Sequence, residues 1–305
     1  VANEVYYSGL TSSARVSAVL SQLIATKLAD TASLVGHPSI LQITAQPGST
    51  AVQVPVISWG ADAMAAVAEN ASVSNTGLTT AAATITLARQ ALRRQISDLA
   101  QATAQGVPLD VTLENIANDM VAAYNKRATT MLTALSSGFS SSVGSTGVDL
   151  SVTNFYAAIF QLQLTANSGP FVAVLHNQQI NDLMSSLRSE SGPGQYLAAT
   201  QEMLMAKGPG FKGNLFGVDV FGSNTVPTAN VNADYLGMMF APNAIGMAVA
   251  SVSPIIGATT VQPASPVTVE FERDASNGST IVVGSVLAGV AEIDDAKGVG
   301  ILSDL

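Results

Sequence analysis

Apolar positions near the start of the chain recur at intervals of three and four. Val16, Val19, Leu20, Leu23, Ile24 and Leu28 share one face and predict a helix over 11–29, with Ser12 or Ser13 as its cap. That periodicity is lost over 35–47, and His37-Pro38 marks a break. Further on the period becomes two. Val52, Val54 and Val56 alternate with Gln53 and Pro55, and Ile85 and Leu87 alternate with Thr84 and Thr86. The stretch between them, 58–83, is rich in Ala, Ser, Thr, Asn and Gly, and Asp62 and Glu69 are its only charges. This predicts a long two-stranded excursion with a polar tip. A lone hairpin is marginal in water, so it needs a neighbouring surface to lie on.

The clearest helix is predicted over 111–135. Leu113, Ile116, Ala117, Met120, Val121, Tyr124, Ala128, Met131, Leu132 and Leu135 form a continuous stripe. Asp110 or Thr112 could cap its start, Lys126 and Arg127 sit late, and Ser136-Ser137-Gly138 ends it. After a Ser/Gly loop over 138–150 come a helix from Thr153 to Ala166, a buried strand from Phe171 to Leu175 and a helix from Gln178 to Ser189. The stretch 189–213 is loop-rich, with Gly192-Pro193-Gly194 and Gly208-Pro209-Gly210 bracketing a short Leu/Met helix, and a strand follows at 218–222. The last third reads as strand. Val267, Val269 and Phe271 alternate with polar residues, Asn277-Gly278 is a hairpin turn, and 281–292 is the return strand.

Composition changes this picture in two ways. Among the 305 residues only 11% are charged, where a typical soluble domain has about 25%. With mean hydropathy +0.36 and a net charge of −9, the surface is poor in the charge that keeps monomers apart. Such a chain either buries its exterior against copies of itself or coats a monomer in Ser and Thr. Gly284, Ser285 and Gly289 interrupt the longest apolar run, and Pro242 and Asn243 interrupt another, so no membrane span is expected. Val1–Leu10 lacks the basic-then-apolar order of a signal peptide. Val1 fits either methionine removal or processing.

Candidate chemistry is sparse. The absence of Cys excludes disulfides, thiolate metal sites and a cysteine nucleophile. His37 and His176 are the two histidines, too few for a multi-histidine site, and the acidic balance argues against capture of nucleic acid. Gly208 to Gly213 superficially resembles a phosphate loop, but Gly213 and Asn214 follow Lys212 where Ser or Thr is required. Gly144-Ser145-Thr146-Gly147 does not match a nucleophile elbow. His176 with Asp182 could serve a triad, yet a histidine opening a helix is the usual capping or packing residue. Glu292, Asp294 and Asp295 lack calcium-loop spacing and read as a solvated acidic turn. Arg89, Arg93 and Arg94 form a basic cluster; Arg89 and Arg93 share a face if the segment is helical, which suggests a salt-bridge patch or subunit contact. Trp59 stands alone and is read as a packing residue. No catalytic, cofactor-binding or metal-binding residues are assigned, and no enzyme activity or cofactor is expected.

Several stretches are similar to one known family. Phe171 to His176 leading into Gln178 to Leu187, Leu215 to Val220 followed by Thr225-Val226-Pro227, Ala241 to Ile245 read as a loop and helix, and the terminal strands 267–274 and 281–290 occur in the order found there. Together they resemble the major capsid protein of tailed bacteriophages, the Hong Kong 97-type fold, over nearly the whole chain. The resemblance implies an α+β fold with an N-terminal arm at 1–46, an extended loop at 47–95, a peripheral domain with a spine helix at 96–147, an axial domain at 148–255 and closing peripheral strands at 256–305.

It also implies self-assembly into hexamers and pentamers of an icosahedral shell around double-stranded DNA. The partners would be copies of the chain, a scaffold, a portal and decoration proteins, with no membrane partner. The location would be the virion, and the host cytoplasm during assembly. An acidic wall would let packaged DNA move. Some members crosslink through a Lys on the extended loop; residues 48–88 contain none, so no such crosslink is expected. No long charged helical segment upstream reads as a fused scaffold, so a separate scaffold protein or an already removed segment is expected. An encapsulin-like nanocompartment shell is the alternative within this fold. A surface-layer protein or adhesin would share the composition but should carry a secretion signal, and a hydrolase using His176 lacks a nucleophile.

Overall fold

The computed structural model describes residues 22–24, 34–46, 49–58, 79–99, 109–165, 169–189, 196–198, 200, 207, 210–250 and 267–305. Residues 22–24 are helical, in the middle of the predicted 11–29 helix; the rest of that stretch lies outside the described residues. So do the hairpin tip at 59–78, with Trp59, and nearly all of the short Leu/Met helix.

Numbered along the chain, the first strands are β1 (Leu41–Thr44), β2 (Ala51–Ser58), β3 (Thr79–Thr86) and β4 (Ala88–Ser97), followed by helix α1 (Leu109–Ala134). Next come β5 (Ser142–Gly144), α2 (Val152–Leu164), β6 (Phe171–Leu175), α3 (Asn177–Ser189), β7 (Tyr196–Ala198), β8 (Phe211–Leu215), β9 (Val218–Gly222) and β10 (Thr228–Ala229). The last are β11 (Asp234–Phe240), β12 (Ile245–Ala250), β13 (Thr268–Asp274), β14 (Ser279–Glu292) and β15 (Gly298–Asp304). Among the described residues these strands form a sheet in the order β1-β12-β14-β13 with β4 also on β14, a second in the order β5-β15-β11-β6-β9-β8-β7 with β10 on β11, and the separate hairpin β2-β3. Together the elements make an α+β fold.

The second sheet is built around β6, whose five residues are all buried. Its alternation feeds two cores. Phe171, Ala173 and Leu175 pack with Phe155, Ile159 and Leu162 of α2 and Leu183 of α3, while Val172 and Val174 pack with Ala128 and Leu132 of α1. A continuous apolar run is what a strand covered on both faces requires. Ser151 starts α2, its Oγ accepting from the Asn154 N–H at 3.2 Å. Gln179, fully buried, ties α3 to the sheet: its Oε1 accepts from the His176 N–H at 3.0 Å, and its Nε2 donates to Ser303 Oγ at 2.9 Å.

At about 1.5 Å per residue, α1 is roughly 39 Å long. Its early turns, through Ile116, Ala117, Met120 and Val121, pack on Val267 and Val282 beside the first sheet. Its late turns, through Ala128 and Leu132, join a core that takes Val172 and Val174 from the second sheet and Ile245 and Met247 from the first. One amphipathic helix therefore joins the two sheets. It begins at Leu109, so Asp110 and Thr112 lie inside its first turn rather than capping it. Gly138 keeps right-handed angles (φ −80°), and the helix instead tightens into a 3₁₀ turn at Leu135–Ser137. The lack of a side chain at Gly138 serves a close approach: a Cβ there would lie 2.7 Å from Glu292 Oε2.

Other expectations are corrected. The Arg89–Arg94 segment is strand β4, paired with β14 over ten positions, and is not helical. Leu41–Thr44, within the 35–47 stretch where periodicity is lost, is a strand pairing parallel with β12. The helix expected after Ala241-Pro242-Asn243 is strand β12. The 138–150 loop contains strand β5, parallel to β15. The expected turn at Asn277-Gly278 is present. Asp274 accepts there from Ser276 Oγ at 2.6 Å and Asn277 Nδ2 at 2.7 Å, which hold its carboxyl down at about 2.

The hairpin β2-β3 pairs from Ala51↔Thr86 to Ser58↔Thr79 and is anchored through its base, with Val52 and Val54 partly buried there. Ile85 and Leu87 are buried against Ala248 and Ala250, whereas none of residues 51–56 or 80–84 is buried. The base crosses β14 at Gly289, where a Cβ would fall 2.1 Å from the Thr86 carbonyl oxygen. Gly289→Val should therefore lower stability by about 1–3 kcal/mol, as overpacking does. Denaturant melts of wild type and variant measure this, and equal midpoints would show that the hairpin base does not bear on β14.

Candidate assembly surfaces

The sequence-derived candidates for chemistry resolve into structural roles. Phe211 to Leu215 is a strand paired with β9, so the end of the Gly208–Gly213 segment is a ladder and not a phosphate cradle. His176 stacks on Tyr235 with ring centroids 3.7 Å apart, and its Nδ1 accepts from the Gln178 N–H at 3.2 Å at the opening of α3. Burial lowers its pKa. Asp182 accepts from Gln178 Nε2 at 3.2 Å; burial, with Asp149 nearby, raises its pKa. His176 thus packs and caps.

In the acidic turn, Asp295 accepts from the Ser140 N–H at 2.7 Å and from the Ser140 hydroxyl, while Asp294 pairs with Lys297 at 3.0 Å. Burial, then the neighbouring Asp295, raises the pKa of Glu292. Among the described residues no three acidic or histidine side chains are grouped to hold a metal. On β4, Arg94 forms a two-pronged pair with Asp119 of α1, including Nη2 to Oδ1 at 3.0 Å. Arg89 and Arg93 occupy the opposite face of the strand, where a spacing of four also keeps them together. Arg273 pairs with Asp98 at 2.5 Å and ties β13 to the end of β4.

Sequence reasoning did not identify His37 as an anchor. It lies between the 3₁₀ turn Leu34–Gly36 and β1, with its ring edge-on to Phe221 at 5.4 Å and Nε2 3.8 Å from Asp219 Oδ2. Lys207 reaches the same carboxylate at 2.5 Å. His37 Nδ1 accepts from the Ser39 N–H at 3.2 Å. This clasp holds the segment that enters β1 onto β9 of the second sheet. The only sequence signal for it was a histidine at a break.

Among the described residues, three outward surfaces break the usual pattern of a soluble exterior. One is the hairpin already described. Another is the outer face of α2, where Tyr156, Phe160 and Leu164 are 57%, 56% and 65% exposed. Tyr156 meets Phe216 edge-on at 5.5 Å. A third, smaller group lies at one end of the second sheet: Val148, Val231 and Leu305 are exposed on segments joined by the Asp304 N–H donating to Val148 O at 3.0 Å and the Gly147 N–H donating to Asp234 Oδ1 at 3.1 Å.

No protein-family model matches the sequence, and no curated protein matches it. Solved structures do. The chain is similar to the capsid of Ralstonia phage GP4, at 10% identity and TM-score 0.62 over 91% of this chain and 90% of that one. It is also similar to the capsid of the cyanophage P-SCSP1u, at 14% identity and TM-score 0.57 over 86% of each. The holo-SrpI encapsulin complex from Synechococcus elongatus matches at 10% identity and TM-score 0.57, over 85% of this chain and 84% of that one. The fold is therefore that of phage capsid shells and encapsulins, the Hong Kong 97-type fold.

The His37 clasp has a pH signature. Burial lowers the His37 pKa below its ordinary 6.5, and Asp219 only partly offsets this. The unfolded chain therefore takes up the proton first. The contribution is complete above the ordinary histidine range and is lost as pH falls through it. Urea unfolding at about pH 7.5 and about pH 5.5 should show wild type losing stability, with a smaller loss in His37→Gln. Equal losses in the two proteins would contradict the assignment.

Proposed function

We propose that the chain is the major capsid protein of a tailed bacteriophage, assembling as hexamers and pentamers into an icosahedral shell that encloses double-stranded DNA. The hairpin carries this reading: two eight-residue strands leave the body with no buried residue along 51–56 or 80–84. A neighbouring copy supplies the missing cover. The extent of the structural likeness supports the same reading, since it runs over most of this chain and most of each capsid compared.

In this reading β2 and β3 belong to the extended loop, and α1 is the spine of the peripheral part. The sheet around β6 forms the axial part. By strand pairing, β12 groups with the peripheral sheet and β15 with the axial sheet. The protein acts by shape and not by catalysis, and it uses no cofactor. A scaffold, a portal and decoration proteins are its further partners. It resides in the virion and, during assembly, in the host cytoplasm. With net charge −9 the wall repels phosphate, so DNA is enclosed without being gripped. The likeness to an encapsulin supports a second reading, a nanocompartment shell, and the contents of the particles separate the two.

Particles purified from cells expressing the chain should appear by electron microscopy as large closed shells without protein cargo. Small shells holding protein would favour the compartment, and a monodisperse small species would contradict both. Denaturing electrophoresis of the particles should give monomer, because residues 48–88 offer no lysine for a covalent link. A ladder would refute that expectation.

A further inference from the structure

We infer that the outer face of α2 is a contact between copies of this chain, with Tyr156, Phe160 and Leu164 as its apolar centre. The inference rests on the shell reading and deepens it by naming a contact surface. The three residues follow at intervals of four and form one stripe on the side of the helix away from Phe155, Ile159 and Leu162, which fill the core. A surface helix normally carries polar residues on that side. The thirteen residues of α2 include no Asp, Glu, Lys or Arg. The exposed residues beside the stripe are Thr153, Gln161, Gln163 and Thr165, a polar but uncharged rim.

The chemistry selects the occupant. Nucleic acid needs cations, and this helix has none. A membrane-lying helix uses Lys and Arg on its polar side, which are also missing. A second copy is acidic, so it approaches most easily where the receiving face brings no negative charge. The size also fits. A buried aromatic contributes on the order of 150–250 Å², so three large side chains, each more than half exposed, offer roughly 300 Å². That is an apolar centre of suitable extent for an interface of about 800 Å² per partner.

The chain contains no cysteine, so a single thiol can report on this face. In Phe160→Cys, alkylation should be fast in dissociated subunits and at least about 30-fold slower in shells assembled from the purified chain, as expected of a desolvated anchor position. Phe160→Glu should keep the wild-type circular dichroism and melting midpoint yet raise the subunit concentration needed for assembly by about 30-fold, while Phe160→Leu assembles nearly as wild type. Protection in shells of the chain alone excludes a scaffold or decoration protein as the occupant. Wild-type shells in which the Phe160→Cys thiol stays open to alkylation would overturn the inference and leave the shell reading standing. Normal assembly of Phe160→Glu would do the same. A wild-type chain that stays monomeric at high concentration would overturn both.

Discussion

The long helix α1 must satisfy two sheets at once, and the rest of the molecule is arranged by that demand. Its first half closes over Val267 and Val282, its second half over Val172 and Val174. Both contacts lie on one rod, and beside its second half Ile245 and Met247 of the first sheet meet Val172 and Val174 of the second in one core. The Arg94–Asp119 pair pins the rod to β4, and the 3₁₀ turn at its end delivers Gly138 against Glu292. The charged pair is about half exposed, so it orients the helix more than it stabilises it.

With the two sheets fixed, the hairpin and the outer face of α2 are left outward among the described residues. The hairpin departs from the first sheet where Ile85 packs on Ala248; Val52 and Val54 lie partly buried against the same cluster, and no residue of 51–56 or 80–84 is buried. The stripe on α2 faces away from the core that its own buried residues complete. A monomer that left both features in water would expose backbone-dominated strand and large apolar side chains together. Tiling removes the difficulty, because every outward face can meet another copy and many modest contacts add around a closed surface. In the proposed shell the low charge of the chain would serve assembly, since few ions need to be desolvated when copies meet.

What the sequence made legible was local or strongly periodic. The stripe from Ile116 to Leu132, the alternation at Val52–Val56 and the Asn277-Gly278 turn each carry their signal within a few residues. The run Phe171–Leu175 was legible because a strand covered on both faces needs apolar residues throughout. The misreadings share a cause. Leu41–Thr44 becomes a strand only because Gly246–Val249 lies beside it, some two hundred positions away in the chain. Arg89 and Arg93 share a face at helical and at strand spacing alike, so periodicity could not decide, and pairing with β14 did. Gly138 read as a helix stop, while its real constraint is a distant carboxylate. The α2 stripe was hidden for a similar reason: apolar residues on both faces of a helix look like core until the fold shows which face has neighbours.

The central claim is that this polypeptide is completed by its own copies, and hydrogen exchange along the hairpin tests it most directly. Amides of residues 51–58 and 79–86 should exchange rapidly in dissociated subunits and become strongly protected in assembled particles, while Phe171–Leu175 is protected in both. Equal protection of the hairpin in the isolated subunit would mean that it is already covered by its own chain, and the account would be wrong.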